Sequence, residues 1–209
     1  MEILFEDKFI LVLVKPPELD TEKELLPLAE AHTGAPCHLV HRLDRGTGGV
    51  IVLAKTPAAA AKLSAAIQAR ELVKEYLAVV KGIPEPPVGS YSDLLYRDRA
   101  KNKSYVVTRE RRGVKRAELD YRLLGKADGM SLVRIRLKTG RTHQIRVQFS
   151  HRGMPLFGDG RYGGGGGSLA LWSALLSFSH PVSGQKMLFE SVPQDIYPWT
   201  LFDRKDDTI

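Results

Sequence analysis

Apolar residues are grouped along the chain into short runs, separated by polar segments rich in glycine and proline. The first continuous run, Phe9 to Val14, ends at Lys15-Pro16-Pro17 and predicts a strand. A second run, Val50 to Ala54, follows a polar loop and also predicts a strand. The pattern thus places two apolar strands early in the chain.

Two helices are predicted within the first 70 residues. The first covers Glu22 to His32 and is stopped by Gly34. The second is capped by Thr56 and has Pro57 at its first position, where proline sacrifices no intrahelical hydrogen bond. This alanine-rich helix is expected to reach about Arg70.

The rest of the chain predicts mainly strands and one further helix. The strand-like patterns lie at 76–80, 104–108, 118–124, 131–137 and 169–178, with a turn at 128–129. The helix is predicted over Thr142 to His151, with Thr142 as its N-cap and Gly153 at its end. The glycine run 163–167 is too flexible for regular structure. One mixed domain of helices and strands accounts for the pattern.

Composition narrows the class of protein but does not identify its function. The 209 residues are 43% hydrophobic and 26% charged, as in ordinary globular proteins. No apolar run approaches the roughly 20 residues that a membrane-spanning helix needs, and the start lacks the layout of a secretory signal. The single cysteine, Cys37, forms no internal disulfide. These features favour a reducing, cytoplasmic setting and no membrane association.

The formal net charge of +7 favours a polyanionic partner. Much of the positive charge lies in one segment, residues 97–116, which has nine Lys or Arg residues against Asp98 and Glu110. A solvated surface loop is the usual explanation for such a charge run. Tyr96 and Tyr105, interleaved with the basic residues, offer stacking surfaces and favour contact with RNA.

The first segment with candidate chemistry is His41-Arg42-Leu43-Asp44-Arg45-Gly46-Thr47-Gly48-Gly49, a polar loop between apolar segments. An aspartate in such a loop most often forms a turn or caps a helix. Here three basic neighbours would favour the ionised carboxylate of Asp44. An ionised carboxylate is suited to act as a nucleophile or a general base.

A second segment is Lys138-Thr139-Gly140-Arg141-Thr142-His143-Gln144-Ile145-Arg146, at the start of the third predicted helix. His143 and Arg146 lie three residues apart and would share a helix face. The helix N-terminus would also attract a phosphate or a carboxylate. The alternative is a basic solvent face with Ile145 and Phe149 pointing inward.

Other kinds of site have little support. The six histidines are scattered without metal-ligand spacing, so no metal site is expected. The glycine run 163–167 lacks the lysine and the strand-to-helix setting of a phosphate loop. No Gly-x-Ser-x-Gly segment is present, which disfavours a serine hydrolase.

Taken together, three segments resemble the motifs of the RluA-type pseudouridine synthases. HRLDRGTGGVIVLAKT at 41–56 resembles the catalytic motif, KEYLAVVKG at 74–82 the second motif, and LKTGRTHQIRVQFSHRGMPLFGDGRYGG at 137–164 the third. The opening strand and its KPP resemble the start of the catalytic domain. The likeness covers nearly the whole chain, with the motifs in the family's order and approximate spacing.

This resemblance implies an α+β fold: a mixed, largely antiparallel central sheet flanked by helices, with a basic active-site cleft. It implies a single catalytic domain over 1–209, without an N-terminal accessory RNA-binding domain. The implied reaction is isomerisation of uridine in ribosomal or transfer RNA. No cofactor, metal or obligatory protein partner is expected.

The resemblance also implies roles for individual residues. Asp44 matches the catalytic aspartate, Tyr76 the tyrosine that lies against the target base, and Arg146 the basic residue that pairs with the catalytic carboxylate. Arg42 matches the arginine that helps to displace the target nucleotide. Ile145 would form an apolar wall of the base pocket. Four further candidates for cleft or phosphate contacts are His41, Arg141, His143 and Gln144.

Two positions depart from the family pattern. Gly48 stands where the family usually has serine, and Leu171-Trp172-Ser173 stands where it commonly has Leu-His-Ala. These departures leave open a non-catalytic RNA-binding protein that keeps the fold. Excision of a base from nucleic acid is a third possibility, since it also breaks an N-glycosidic bond.

Overall fold

A computed structural model of the chain describes residues 1–202. The chain divides into two compact units. The first contains residues 1–75 and 172–193, and the second contains residues 76–171 and, within the described part, 194–202. The predicted frayed tail, 203–209, lies outside the described residues.

The first unit is built on a mixed sheet. Its strands are β1 (Glu2–Glu6), β2 (Ile10–Lys15), β3 (His38–Leu39), β4 (Gly48–Ala54), β10 (Leu171–Ser179, from Trp172 onward) and β11 (Lys186–Glu190). The order is β1-β2-β4-β10, with β11 on β10 and β3 on β4. β4 runs parallel to β10 and antiparallel to β2 and β3. Every residue of β2 and β4 is buried, which accounts for their continuous apolar runs.

The first unit also contains helices. A π-helical turn, Thr21–Leu25, leads into α1 (Leu26–Thr33), which ends at left-handed Gly34. Helix α2 (Pro57–Gln68) is capped by the Thr56 hydroxyl, which accepts a hydrogen bond from the amide of Ala59. Both helices match the prediction, and the Thr56 cap and the Gly34 stop are confirmed. Ala59 and Leu63 of α2 pack on buried side chains of β2, β4 and β10.

The second unit contains a sheet of long strands. Its strands are β5 (Val73–Lys81, from Tyr76 onward), β6 (Val88–Asp98), β7 (Lys103–Val107), β8 (Val114–Ala127) and β9 (Met130–Leu137). Their order is β5-β9-β8-β6-β7, and the pairs β8–β9, β6–β8 and β6–β7 are antiparallel. Helix α3 (Gln144–His151) packs on this unit through Phe149, whose ring contacts Tyr91 and Tyr121.

The α+β class and the mixed sheet are confirmed, but some elements differ from the prediction. The predicted N-cap Thr142 is wrong: α3 begins at Gln144, after His143 in a left-handed conformation with φ of 54°. The sequence pattern missed β1, β3, β6 and β11. Within residues 1–202, no helix combines the length and the apolar character needed to cross a membrane.

Candidate functional site

In the first unit, Asp44 lies in the loop that leads into β4. The loop turns at Asp44, whose carbonyl accepts a hydrogen bond from the amide of Thr47 at 2.9 Å. Just before it, Leu43 is buried, and its carbonyl accepts a hydrogen bond from the Thr21 hydroxyl at 2.8 Å. The backbone is therefore held on both sides of Asp44. The side chain itself is half-buried.

The buried ammonium of Lys15 is hydrogen-bonded to the backbone of this loop. Lys15 has no solvent exposure, and its Nζ donates to the carbonyl oxygens of Pro16 (2.9 Å), Leu19 (2.7 Å) and Arg45 (3.0 Å). The last of these belongs to the residue that follows Asp44. Burial lowers the pKa of Lys15 to about 8, and nearby carboxylates, including that of Asp44, partly oppose this shift. At neutral pH the group is still mainly a cation.

The basic neighbours of Asp44 differ in character. Arg42 is exposed, and its Nη1 lies 3.0 Å from Oε1 of Glu22, also exposed. Such a surface pair contributes little to stability and exchanges easily for another anion. Arg45 is likewise exposed and donates to the carbonyl of Glu18 at 3.0 Å. Both arginines therefore present their charge at the surface of the loop.

His41, in contrast, is neutral. Burial of the ring, together with the ammonium of Lys74, lowers the pKa of His41 to about 3. Its Nε2 accepts a hydrogen bond from the amide of Val52 at 3.4 Å. His41 therefore contributes no positive charge at neutral pH. Of the three predicted basic neighbours of Asp44, only the two arginines are charged.

The two departures from the family pattern fit each other in space. Trp172 and Gly48 are paired residues of β10 and β4. A Cβ at position 48 would lie 2.2 and 2.6 Å from two atoms of the Trp172 ring, and 3.1 Å from Pro17. The indole therefore occupies the space that a serine side chain would need. Trp172 is itself held by a hydrogen bond from Nε1 to the Ser191 carbonyl at 3.0 Å.

In the second unit, Tyr76 and Ile145 are both buried, Tyr76 on β5 and Ile145 on α3. Gln144 is buried as well, and its amide is used by the protein. Its Oε1 accepts from the Thr139 hydroxyl and the Arg141 amide, while its Nε2 donates to the Glu118 carbonyl. Gln144 thus closes the turn before α3, which is a structural role.

Arg146 is held by a buried carboxylate. Its Nε and Nη2 donate to the two oxygens of Asp159 at 2.7 and 2.8 Å, and the Asp159 side chain has no solvent exposure. The Arg146 guanidinium also lies over the ring of Tyr162, 5.2 Å from its centroid. The Tyr162 hydroxyl lies 3.0 Å from Nδ1 of His143. Of the predicted site residues, the structure thus brings His143 and Arg146 together around Tyr162.

The basic segment forms a hairpin and a loop. Strands β6 and β7 pair so that Tyr96 lies directly opposite Tyr105. Arg111 lies over the Tyr96 ring at 4.7 Å, and Lys103 lies 5.7 Å from the centroid of Tyr105. We call residues 96–112 the basic hairpin. Two neighbouring rings bordered by cations are a surface on which nucleobases stack.

An Asp-His-Ser arrangement also occurs in the first unit. Nε2 of His180 lies 2.9 Å from Asp7, and Nδ1 lies 3.0 Å from the Ser183 hydroxyl. However, Nδ1 also accepts hydrogen bonds from the amides of Val182 and Ser183. The imidazole is thus a bridge that fixes the turn between β10 and β11, and it does not act as a base toward the serine.

Three residues of the site are not identified by the sequence pattern. Lys15 stands at the end of a predicted strand, and Asp159 and Tyr162 stand within a motif, but the pattern assigns none of them a role. A lysine that closes a fully apolar run is an indication of a buried charge. The sequence gives no comparable indication for Asp159 and Tyr162, because their partners lie 13 or more residues away.

Comparisons with known proteins agree on one family. The family model described as RNA pseudouridylate synthase matches residues 8–151. Ribosomal large subunit pseudouridine synthase C of Buchnera aphidicola is 32% identical over 93% of this chain and 67% of that protein. Synthase D of Vibrio cholerae is 31% identical over 99% of this chain and 72% of that protein.

Solved structures show the same fold. The human protein RNA pseudouridylate synthase domain containing 4 superposes with a TM-score of 0.76 at 25% identity, over 91% of this chain and 88% of that chain. The human protein RNA pseudouridylate synthase domain containing 1 gives a TM-score of 0.79 at 23% identity, over 95% of this chain and 85% of that chain. The second likeness concerns the fold alone.

The burial of Lys15 predicts a pH-dependent difference between the wild-type protein and Lys15→Met. The folded pKa of about 8 lies below the unfolded value of 10.5, so the unfolded chain binds more protons between these values. The unfolding free energy of the wild type, relative to Lys15→Met, should therefore rise from pH 8 to 10.5, by at most about 3 kcal/mol at about 1.4 kcal/mol per pKa unit. Urea denaturation at several pH values measures this.

The exposed Lys62 on α2 provides the control for this measurement, as Lys62→Met. Groups that titrate equally in both proteins cancel in the comparison. If the unfolding free energy of the wild type minus that of Lys15→Met stays constant or falls with rising pH, the lowered pKa of Lys15 is contradicted.

The contact between Gly48 and Trp172 predicts non-additive substitutions. Gly48→Ser alone should destabilise the protein by about 1–3 kcal/mol through overpacking. Trp172→His alone should also destabilise it, because it opens a cavity and removes the bond to Ser191. In Gly48→Ser/Trp172→His, the smaller ring makes room for the hydroxymethyl group. The loss of unfolding free energy in the double variant should therefore be smaller than the sum of the two single losses, by about 0.5–3 kcal/mol.

Chemical denaturation of the four proteins gives this coupling energy. The second tryptophan, Trp199, is equally buried but belongs to the other unit, so Trp199→His combined with Gly48→Ser is the control and should be additive. Additivity for Trp172→His within about 0.5 kcal/mol would refute the coupling.

Proposed function

Because the chain belongs to the RNA pseudouridylate synthase family, we propose that it isomerises a uridine in structured RNA with Asp44 as its catalytic residue. Family membership makes the chain an RNA uridine isomerase. The single observation that carries the role of Asp44 is its place in the family's catalytic motif, on a loop whose backbone is fixed on both sides.

The reaction leaves the composition of the RNA unchanged. The bond between C1′ and N1 breaks, the uracil turns, and a bond forms between C1′ and C5. In the same reaction C5 loses its proton and N1 gains one. Uracil cannot turn while it is stacked and paired, so the nucleotide has to leave the helix first. The protein must therefore open the RNA and hold the base, and it must stabilise the charge that develops as the bond breaks.

The carboxylate of Asp44 supplies the reacting group. Attack on the ribose, addition to the base and removal of a ribose proton are three steps that a carboxylate performs, and each needs it ionised. To the exposed Arg42 and Arg45, on either side of Asp44, we assign the attraction of RNA phosphates toward the loop.

The remaining roles follow the family motifs residue by residue. Tyr76 lies against the target base and takes part in proton transfer, and Ile145 forms an apolar wall for that base. Arg146 supplies a fixed positive charge for catalysis. Its support is the bidentate pair with Asp159, which holds the guanidinium in one orientation. Arg42 takes the place of the extruded nucleotide, for which its exposed side chain is suited.

For RNA binding we propose the basic hairpin together with Arg141 and His143. Arg141 donates from Nε to the carbonyl of Arg116 on β8, the strand that follows the hairpin. Because His41 is neutral and Gln144 uses its amide within the protein, we give these two residues only a supporting role.

The substrate is a stem-loop, in ribosomal RNA or in transfer RNA. Large-subunit ribosomal RNA is the first choice, because the relatives from Buchnera aphidicola and Vibrio cholerae are named for it. The paired tyrosines of the basic hairpin would stack unpaired bases of the loop, and the cations would contact the phosphates.

Replacing Asp44 by asparagine is expected to abolish pseudouridine formation, with a loss on the order of 10³-fold or more, because an amide neither reacts as a nucleophile nor accepts a proton. RNA affinity should stay within about threefold. The measurement is carbodiimide labelling and nucleoside chromatography of an rRNA stem-loop after incubation with protein. The control is Asp128→Asn, in an exposed turn where asparagine also tolerates the positive φ of 50°.

Retained turnover in Asp44→Asn would refute the role of Asp44. RNA binding by the wild type without any pseudouridine would favour a non-catalytic RNA-binding protein, and release of free uracil would favour base excision. Pseudouridine mapping across total RNA, from cells with and without the protein, identifies the position that is modified.

Charge reversal in the basic hairpin is expected to weaken RNA binding. Arg111→Glu/Arg112→Glu should raise Kd about tenfold or more and lower the slope of log K against log salt by about two, one for each phosphate that is no longer neutralised. The control is Lys62→Glu/Lys186→Glu, which replaces two exposed lysines of the first unit and changes the net charge equally. Equal effects of the two double variants would show that only net charge matters.

A further inference from the structure

Tyr162 stands in the segment Asp159-Gly160-Arg161-Tyr162, which follows α3 in the chain. The ring of Tyr162 is buried among Leu95, Ala117 and Val147. Its carbonyl accepts a hydrogen bond from the Ser150 hydroxyl of α3 at 2.7 Å. This tyrosine is therefore fixed to the helix that carries Arg146.

Two groups of this segment hold the Arg146 guanidinium in different ways. Asp159 fixes its edge through two charge-assisted hydrogen bonds of 2.7 and 2.8 Å. Tyr162 covers its face, with the guanidinium carbon 5.2 Å from the ring centroid. Bonds along one edge still permit the guanidinium to swing about that edge. A ring against the face removes this motion.

The hydroxyl of Tyr162 reaches the basic hairpin. It accepts a hydrogen bond from the amide of Ser104 on β7 at 2.8 Å, and it lies 3.0 Å from Nδ1 of His143. Burial raises the pKa of the Tyr162 hydroxyl, so this group keeps its proton at neutral pH. The neighbouring Arg161 donates to the carbonyls of Lys101 and Asn102 at the tip of the hairpin, at 3.0 and 2.9 Å.

We propose that Tyr162 is a positioning residue for Arg146, and that it ties the orientation of this guanidinium to the basic hairpin that receives the RNA. The inference rests on the proposed catalytic role of Arg146. It assigns two separable contributions to one side chain. The ring restrains the guanidinium, and the hydroxyl fixes the ring to β7 and His143.

The same unit contains a matched arrangement that serves as a control. Arg152 donates to both oxygens of Asp93 at 2.9 and 3.1 Å and lies 3.8 Å from the ring centroid of Tyr91. Tyr91 is buried to the same degree as Tyr162. Its arginine is not among the proposed site residues. Replacing Tyr91 therefore removes a similar buried ring, which also packs on α3 through Phe149, without removing a contact of the Arg146 side chain.

The experiment compares Tyr162→Phe, Tyr162→Leu and Tyr91→Leu with the wild type. Single-turnover rates on an rRNA stem-loop give the chemical step, and filter binding gives the Kd for RNA. Far-UV circular dichroism gives the folded fraction, to which the rates are normalised. We expect the rate to fall about 3- to 10-fold in Tyr162→Phe and about 30-fold or more in Tyr162→Leu. Kd should change less than threefold, and Tyr91→Leu should keep the rate within twofold.

Several results would overturn the assignment. A rate within twofold of wild type in Tyr162→Leu would do so, as would an equal loss in Tyr91→Leu. Equal losses in the Phe and Leu variants would show that the ring does not restrain the guanidinium. If Tyr162→Leu does not fold, Tyr162→Phe decides, and a rate within twofold of wild type overturns the proposal.

The proposed function is tested separately by the wild type. Wild-type protein that forms no pseudouridine on any RNA removes the proposed function and, with it, the role of Tyr162. Wild-type activity that is insensitive to Tyr162 removes only the positioning role.

Discussion

A buried ammonium group is the constraint on which the first unit depends. Lys15 has no exposed surface, so its charge has to be matched by acceptors inside the protein. The acceptors are three backbone carbonyls, those of Pro16, Leu19 and Arg45. Because backbone atoms supply them, this anchoring of the loop does not require a particular side chain at position 44 or 45. The exposed arginines on either side of Asp44 are thus compatible with a fixed backbone.

The second unit meets the opposite requirement, a buried anion. Asp159 has an unexposed carboxylate, and the Arg146 guanidinium satisfies both of its oxygens. Helix α3 begins without a side-chain cap, after left-handed His143, and the amide of Gln144 closes the turn before it instead. Arg146 is thus placed on a helix whose first turn is fixed by its own polar residues. A guanidinium held in this way is pre-organised before substrate arrives.

The sequence predicted what depends on neighbours along the chain. The apolar runs of β2 and β4, and the cap of α2 at Thr56, need only local information, and all three are found. Strand β6 was missed because its first half, Val88 to Asp93, is mostly small and polar, whereas nine paired residues of β8 stabilise it. The Thr142 cap failed because the helix starts one residue later than predicted, after His143 in a left-handed conformation.

For the site, the motifs located the candidate residues, but the sequence contains no information on what holds them. The neutrality of His41 results from the burial of its ring and from the ammonium of Lys74, 33 residues away. The structural use of Gln144 depends on Thr139 and Glu118. Such contacts are tertiary, and they decide which residues of a motif keep their charge and polar atoms for RNA.

The contact between Gly48 and Trp172 has a consequence for how these two positions can change. In a chain with serine at 48 and histidine at 172, replacing either residue alone would leave this part of the sheet overpacked or with a cavity. In the present chain, a change at one position is opposed by the residue at the other. Glycine at 48 and tryptophan at 172 therefore act as one packing unit, which sets the shape of the sheet beside the loop and not the reacting groups.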